Sequence, residues 1–200
     1  MYRFYLAAAD ILPSVVLFVP IYFILDRFCF HSMRKTILYF LFSCYLSAVY
    51  VLVGLPNVTY IRPEMNLSLI PFVGMIADFH NSVLNILLFI PLGIILPVLW
   101  KKYRILNRTL LFGFTMSVAI ELLQMLTFRA TDVNDLITNT VGTVLGFFCA
   151  KLFVKKLPAV KDIAATTASK ELIVVLVIVL LVMFFLYPFI SAVFWDLILS

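Results

Sequence analysis

Eight polar residues in the middle of this chain, Asn85, Glu121, Gln124, Arg129, Asp132, Asp135, Asn139 and His80, have types and spacings that could do chemistry. Glu121 and Gln124 are three apart and share a helix face. At 100° per residue, Asp132, Asp135, Asn139, Gly142, Gly146 and Ala150 fall inside one arc of about 80°. Asn81 and Asn85 are four apart, with Phe89 one turn further on and His80 just before them. Two carboxylates in unlike surroundings can divide the roles of general acid and general base, which makes Glu121 and Asp132 the catalytic candidates. Arg129 can hold a phosphate or carboxylate in fork geometry. The amides of Asn85, Gln124 and Asn139 can orient a polar ligand, and His80 and Asp135 would sit at the rim.

Each residue also has a plainer use. Asn81 and Asn85 can be hydrogen-bond glue between helices, at about 0.6–2 kcal/mol a pair. Thr131 or Asp132 can cap a helix N-terminus, with Asp135 complementing its dipole. Glu121 can be a neutral structural carboxylic acid bonded to a neighbouring carbonyl. Capping leaves Asn139, two turns deeper on the same stripe, unexplained.

The elements that must position these groups are membrane spans. Of 200 residues, 64% are hydrophobic and 12% charged, and mean hydropathy is +1.15. Soluble domains carry about 25% charged residues, so a soluble globular chain is excluded. Six apolar stretches, 4–25, 36–56, 79–100, 109–128, 136–154 and 172–195, are each near the ~20 residues that a bilayer core requires. The fold expected is all-α, a polytopic transmembrane bundle with short connections. Residues 1–157 read as the core, 158–169 as a cytoplasmic linker rich in Ala, Thr and Ser, and 170–200 as a C-terminal anchor helix with a kink at Pro188. Twelve of the 15 Lys and Arg residues fall on one alternating set of connections: Arg27, Arg34, Lys35, Lys101, Lys102, Arg104, Arg108, Lys151, Lys155, Lys156, Lys161 and Lys170. The positive-inside rule puts that side in the cytoplasm and both termini outside.

The net charge of +5 is thereby accounted for by topology, and nucleic acid is not an expected partner. Cys29, Cys44 and Cys149 are odd in number and far apart, and the two histidines lack a zinc-binding spacing, so no disulfide, metal or cofactor is expected. The N-terminal apolar run is interrupted by Asp10 and reads as retained. The piece 65–72 is apolar but too short to cross; it lies at the interface or dips back under cover of protein. No internal repeat signals an inverted-repeat transporter.

Four motifs in order, Asn66-Leu-Ser-Leu-Ile-Pro-Phe72, Asn85-x-x-x-Phe89-x-Pro91-x-Gly93, Glu121-x-x-Gln124 and Arg129-Ala-Thr-Asp132-Val-Asn-Asp135-x-x-x-Asn139-x-x-Gly142, resemble the VanZ-like family of bacterial membrane proteins. The resemblance implies a plasma-membrane protein of Gram-positive-type bacteria. It also implies a link to teicoplanin resistance that does not depend on remodelled peptidoglycan precursors. The family's recurring Asn, Glu, Gln, Arg, Asp and Asn fall on Asn85, Glu121, Gln124, Arg129, Asp132 and Asn139, with no role established for each. Three function classes follow. The first is an outward-facing polar pocket that binds or modifies a membrane lipid, a lipid-linked envelope precursor or a lipoglycopeptide. The second is a transporter or flippase for such a molecule, and the third a non-catalytic scaffold. Without a nucleophile motif, enzymatic activity is an open alternative within the first class, and oligomeric state is not encoded in any motif.

Overall fold

A computed structural model of the chain describes residues 2–63, 67–68, 70–72, 79–127, 131–156 and 169–199. Among the described residues the chain forms six helical rods, five of them long and apolar enough to cross a membrane. The rods are α1 (Tyr2–Leu25, extended by a π turn Asp26–Phe30), α2 (Met33–Leu52), α3 (Phe79–Leu99), α4 (Leu106–Gln124), α5 (Val133–Lys156) and α6 (Ser169–Leu181). A second π turn, Val182–Leu186, carries α6 into α7 (Tyr187–Leu199) without a break. Two extended pairs, β1 (Leu67–Ser68) and β2 (Thr131–Asp132), run parallel to each other.

The chain divides into two compact units, Met1–Ile61 with Lys170–Ser200, and Arg62–Ser169. In the first, Ser14, Phe18 and Tyr22 recur every fourth residue along the buried face of α1. The Tyr22 hydroxyl and Ser43 Oγ share a 2.5 Å hydrogen bond. Asp26 closes the α1–α2 turn: its Oδ1 accepts from the Ser32 N–H at 3.1 Å and the Thr36 hydroxyl at 2.6 Å. These bonds serve the start of α2, where Ser32 makes no side-chain cap of its own; the Asp26 carbonyl accepts the His31 N–H at 2.9 Å and closes the π turn that carries the first helix on to Phe30.

The C-terminal rod belongs to this same unit. At its start Glu171 accepts from the Lys35 ammonium at 3.3 Å and from the Tyr39 hydroxyl. Leu172, Val175, Val179, Val182 and Met183 form a buried face, while Ile173, Val177, Leu180, Val193 and Leu197 are exposed on others. Pro188 has no N–H to offer the carbonyl four residues back, Phe184, and the backbone there widens into the π turn. The freed Phe184 carbonyl accepts the Val58 N–H at 3.0 Å, tying the chain after α2 onto the last rod. The linker 158–169 lies outside the described residues apart from Ser169.

In the second unit α3 and α5 touch backbone to backbone. A Cβ on Gly142 would fall well under 3.0 Å from the Ile86 carbonyl oxygen, one on Gly146 equally close to Ile90 O, and one on Gly93 to Thr143 O. Ile86 faces Gly142 and Ile90 faces Gly146, so both helices advance in the same direction. The Gly-x-x-x-Gly spacing is what permits this approach. On its other side α5 meets α4 with the opposite sense, Thr143 against Gly113, Asn139 against Ser117 and Asp132 against Glu121. α5 thus packs between α3 and α4, parallel to the first and antiparallel to the second, the directions that three successive crossings require. α5 is the rod that falls short of the span criterion among the described residues. The deeper part of its stripe, Asn139, Gly142, Gly146 and Ala150, is buried in the unit and Asp132 and Asp135 are half-buried, whereas Val141, Leu145, Phe148 and Leu152 lie on an exposed apolar face.

Candidate functional site

The buried face of α4 repeats every four residues: Thr109, Gly113, Ser117 and Glu121, with Gln124 beside it. Small side chains in the first three places let α5 approach, and Glu121, 3% exposed, occupies the end of the row. α4 stops at Gln124, not at Phe128, because Thr127 turns back and donates its N–H (2.9 Å) and hydroxyl (3.0 Å) to the Gln124 carbonyl. Glu121 consequently lies in the last turn of its helix and not the ~10 Å below the helix end that termination at Phe128 would imply.

Directly beyond that turn, Glu121 Oε2 accepts the Asp132 N–H at 3.0 Å, and the Glu121 backbone carbonyl accepts the Thr131 hydroxyl at 3.2 Å. Asp132 is the N-cap of α5, with Oδ1 accepting the Asn134 N–H at 2.9 Å. Thus Glu121 and Asp132 are brought together through a backbone group, with one carboxylate holding the residue whose own carboxylate starts the next helix.

Two further strands of contact roof this corner. β1 pairs with β2, Leu67 with Thr131 and Ser68 with Asp132, and the Arg62 N–H donates to the Leu126 carbonyl at 2.8 Å. Asn134, buried at the start of α5, accepts the Phe72 N–H on Oδ1 at 2.7 Å. Residues 62, 67, 68 and 72 therefore lie across the joined ends of α4 and α5.

One layer deeper, Asn139 Nδ2 donates to Ser117 Oγ at 2.9 Å. Asn139 is 4% exposed, and among the described residues its Oδ1 has no hydrogen-bond partner. A buried acceptor left without a donor costs about 1–3 kcal/mol. Thr143, below it, donates its hydroxyl to the Asn139 carbonyl at 3.0 Å. The remaining expected residues lie around this centre or at the surface. Asp135 is half-buried and its carbonyl accepts the Thr138 hydroxyl. Asn85 is half-buried on α3 one turn before the buried Phe89, and His80 and Asn81 are exposed in the first turn of α3. Arg129 lies outside the described residues, as does Asn66.

Sequence reasoning passed over Ser117 and Asn134. Ser117 was findable, being one turn from Glu121 on the same face. Nothing in the spacing marks Asn134 as the residue that grips Phe72. In the first unit a cavity of about 190 Å³ is lined by Tyr50, Val51, Gly54, Leu55, Asn57 and Tyr187. Its Tyr50 hydroxyl is given to Pro56 O, and Asn57 Oδ1 accepts from Thr59. That cavity gathers no charged group, so the candidate site is the α4–α5 corner. Among the described residues no cluster of His, Cys, Asp and Glu could hold a metal ion.

Fold and site together define a helical membrane protein with a polar corner buried where two helices meet under an extended cover. The chain belongs to the VanZ/LLP1 family, whose profile matches residues 42–154, more than half of its length. It is similar to Protein VanZ of Enterococcus faecium, 36% identical over 84 residues, which cover 42% of this chain and 51% of that protein. The chain thus spans about half the length of the curated relative it matches. No solved structure matches.

Proposed function

We propose that the corner formed by Glu121, Gln124, Asp132 and Asn139 receives a polar group of an amphipathic envelope molecule, with its apolar part in the surrounding lipid. The observation that carries the reading is the buried Oδ1 of Asn139, without a partner among the described residues, below a buried carboxylate. An acceptor in that position calls for a donor, such as a hydroxyl, an amide or an ammonium group. Similarity to a protein named VanZ supports extending the reading to lipoglycopeptide resistance of the teicoplanin type. In native mass spectra of detergent-released protein, wild type is expected to carry an adduct of lipid or lipid-linked mass that Asn139→Leu loses. Identical adduct spectra for the two would refute the reading.

A scaffold is favoured by one specific observation: Glu121 Oε2 is already engaged with a backbone N–H. In that reading the polar residues assemble α4, α5 and their cover, and no ligand enters.

Either function is carried out in the orientation set by the Lys and Arg partition, with the α4–α5 corner and both termini facing outward and six crossings in all. A single cysteine introduced at Thr59 should react with an impermeant thiol reagent in intact cells, and one at Arg104 only after permeabilisation. The reverse pattern would invert the topology.

A further inference from the structure

We propose that the turn Ile70-Pro71-Phe72 is an interfacial anchor, seated on the acyl-chain edge of the leaflet at the N-terminal end of α5, and that it holds the cover over Glu121 against the helix ends. The proposal rests on α5 crossing the membrane, as read above, and on no ligand.

Phe72 has φ +66°, in the left-handed region that bulky non-glycine residues rarely adopt. Its N–H is fixed by the buried Asn134 amide at 2.7 Å, so the conformation is imposed from below. Glycine would take this backbone without strain. The chain instead places a phenylalanine here, and its side chain is 66% exposed, so packing within the protein does not account for it. Ile70 is 67% exposed, and Pro71 between them is exposed as well. Two large apolar side chains are thus presented outward from a short, uncharged, rigidly held turn.

The depth of the turn identifies what it meets. Lys151 is the first charged residue of α5 after Asp135, and it is exposed. From Asn134 to Lys151 is a rise of about 26 Å at 1.5 Å per residue, against a hydrocarbon core of ~30 Å. With Lys151 reaching one headgroup layer, Asn134 stands close to the opposite boundary. Phe72 is bonded to Asn134 and therefore sits at that same level, where apolar side chains are stabilised by burial among acyl chains. Val141, Leu145, Phe148 and Leu152 of α5 are exposed too, and at 100° per residue they share the helix face of Asn134, the residue that holds Phe72.

Spin labels test this on the full chain with Cys29, Cys44 and Cys149 replaced, in vesicles of phosphatidylcholine and phosphatidylglycerol. At Phe72→Cys and Ile70→Cys, collisions with oxygen should exceed those with a water-soluble nickel chelate, whereas Thr59→Cys should favour nickel. Nickel dominance at 70 and 72, or exclusion of both reagents by a protein contact, would overturn the anchor. A label at Val141→Cys examines the premise separately: nickel access there would overturn the crossing of α5 and the anchor with it. Because Phe72→Gly relaxes the backbone, it should fold. Its amide exchange at Asp132 and Asn134 should rise at least threefold in vesicles and stay within twofold of wild type in detergent. Unchanged exchange in vesicles would show that the turn anchors nothing.

Discussion

Gly146→Ala should fail to accumulate as a monodisperse folded protein. Its new Cβ would lie inside the van der Waals distance of the Ile90 carbonyl oxygen and 2.9 Å from Gly93 Cα, both backbone atoms of α3. No rotamer change relieves a clash with backbone, so the α3–α5 pair must separate along its length. The loss is expected to reach about 3 kcal/mol, the upper end of what overpacking costs. Gly113→Ala offers the contrast. The three atoms nearest its Cβ are Oγ1, Cγ2 and Cβ of the Thr143 side chain, which is stiff at χ1 but removable. Thr143→Ala would still leave its Cβ 2.9 Å from the new one, so relief needs Thr143→Gly: in that background Gly113→Ala should cost much less than it does alone, while no side-chain substitution on α3 should rescue Gly146→Ala. Thermal unfolding followed by size-exclusion chromatography measures both. A Gly146→Ala protein as stable as wild type would mean that α3 and α5 are further apart than described.

The second large effect separates ligand chemistry from assembly. Glu121→Gln retains a side-chain oxygen that can accept the Asp132 N–H, and Asp132→Asn retains an N-cap of equal quality. Both should melt close to wild type. If the carboxylates serve a ligand, each should nonetheless lose the lipid adduct and any teicoplanin phenotype. Glu121→Ala and Asp132→Ala remove the acceptors themselves. The first leaves the Asp132 N–H without its partner at about 1–3 kcal/mol, and the second removes a cap at about 1 kcal/mol. Full adduct formation in both amide variants, with destabilisation confined to the alanine variants, would mean that the carboxylates assemble the corner and do not serve the ligand.

The membrane class of the protein, the location of its rods and the polar stripe on α5 can all be read without coordinates, because each depends on local periodicity. Apolar residues recur over lengths set by the bilayer, and Asp132, Asp135, Asn139, Gly142, Gly146 and Ala150 line up at the 100° per residue of an α-helix. The Gly-x-x-x-Gly spacing likewise announces a close contact. Partner choice is not local, and there the chain order is silent. That Gly142 and Gly146 meet the carbonyls of Ile86 and Ile90, that Glu121 accepts a backbone N–H from beyond its own helix, and that Asn134 holds Phe72 across 62 positions depend on which surfaces fold together. Helix ends behave in the same way. α4 ends at Gln124 although Met125, Leu126 and Phe128 beyond it are apolar, since Thr127 folds back onto Gln124 and Arg62 engages Leu126. Hydrophobicity determines what enters the membrane; the hydrogen bonds left open at each helix end are satisfied by distant segments, and only the assembled chain decides which.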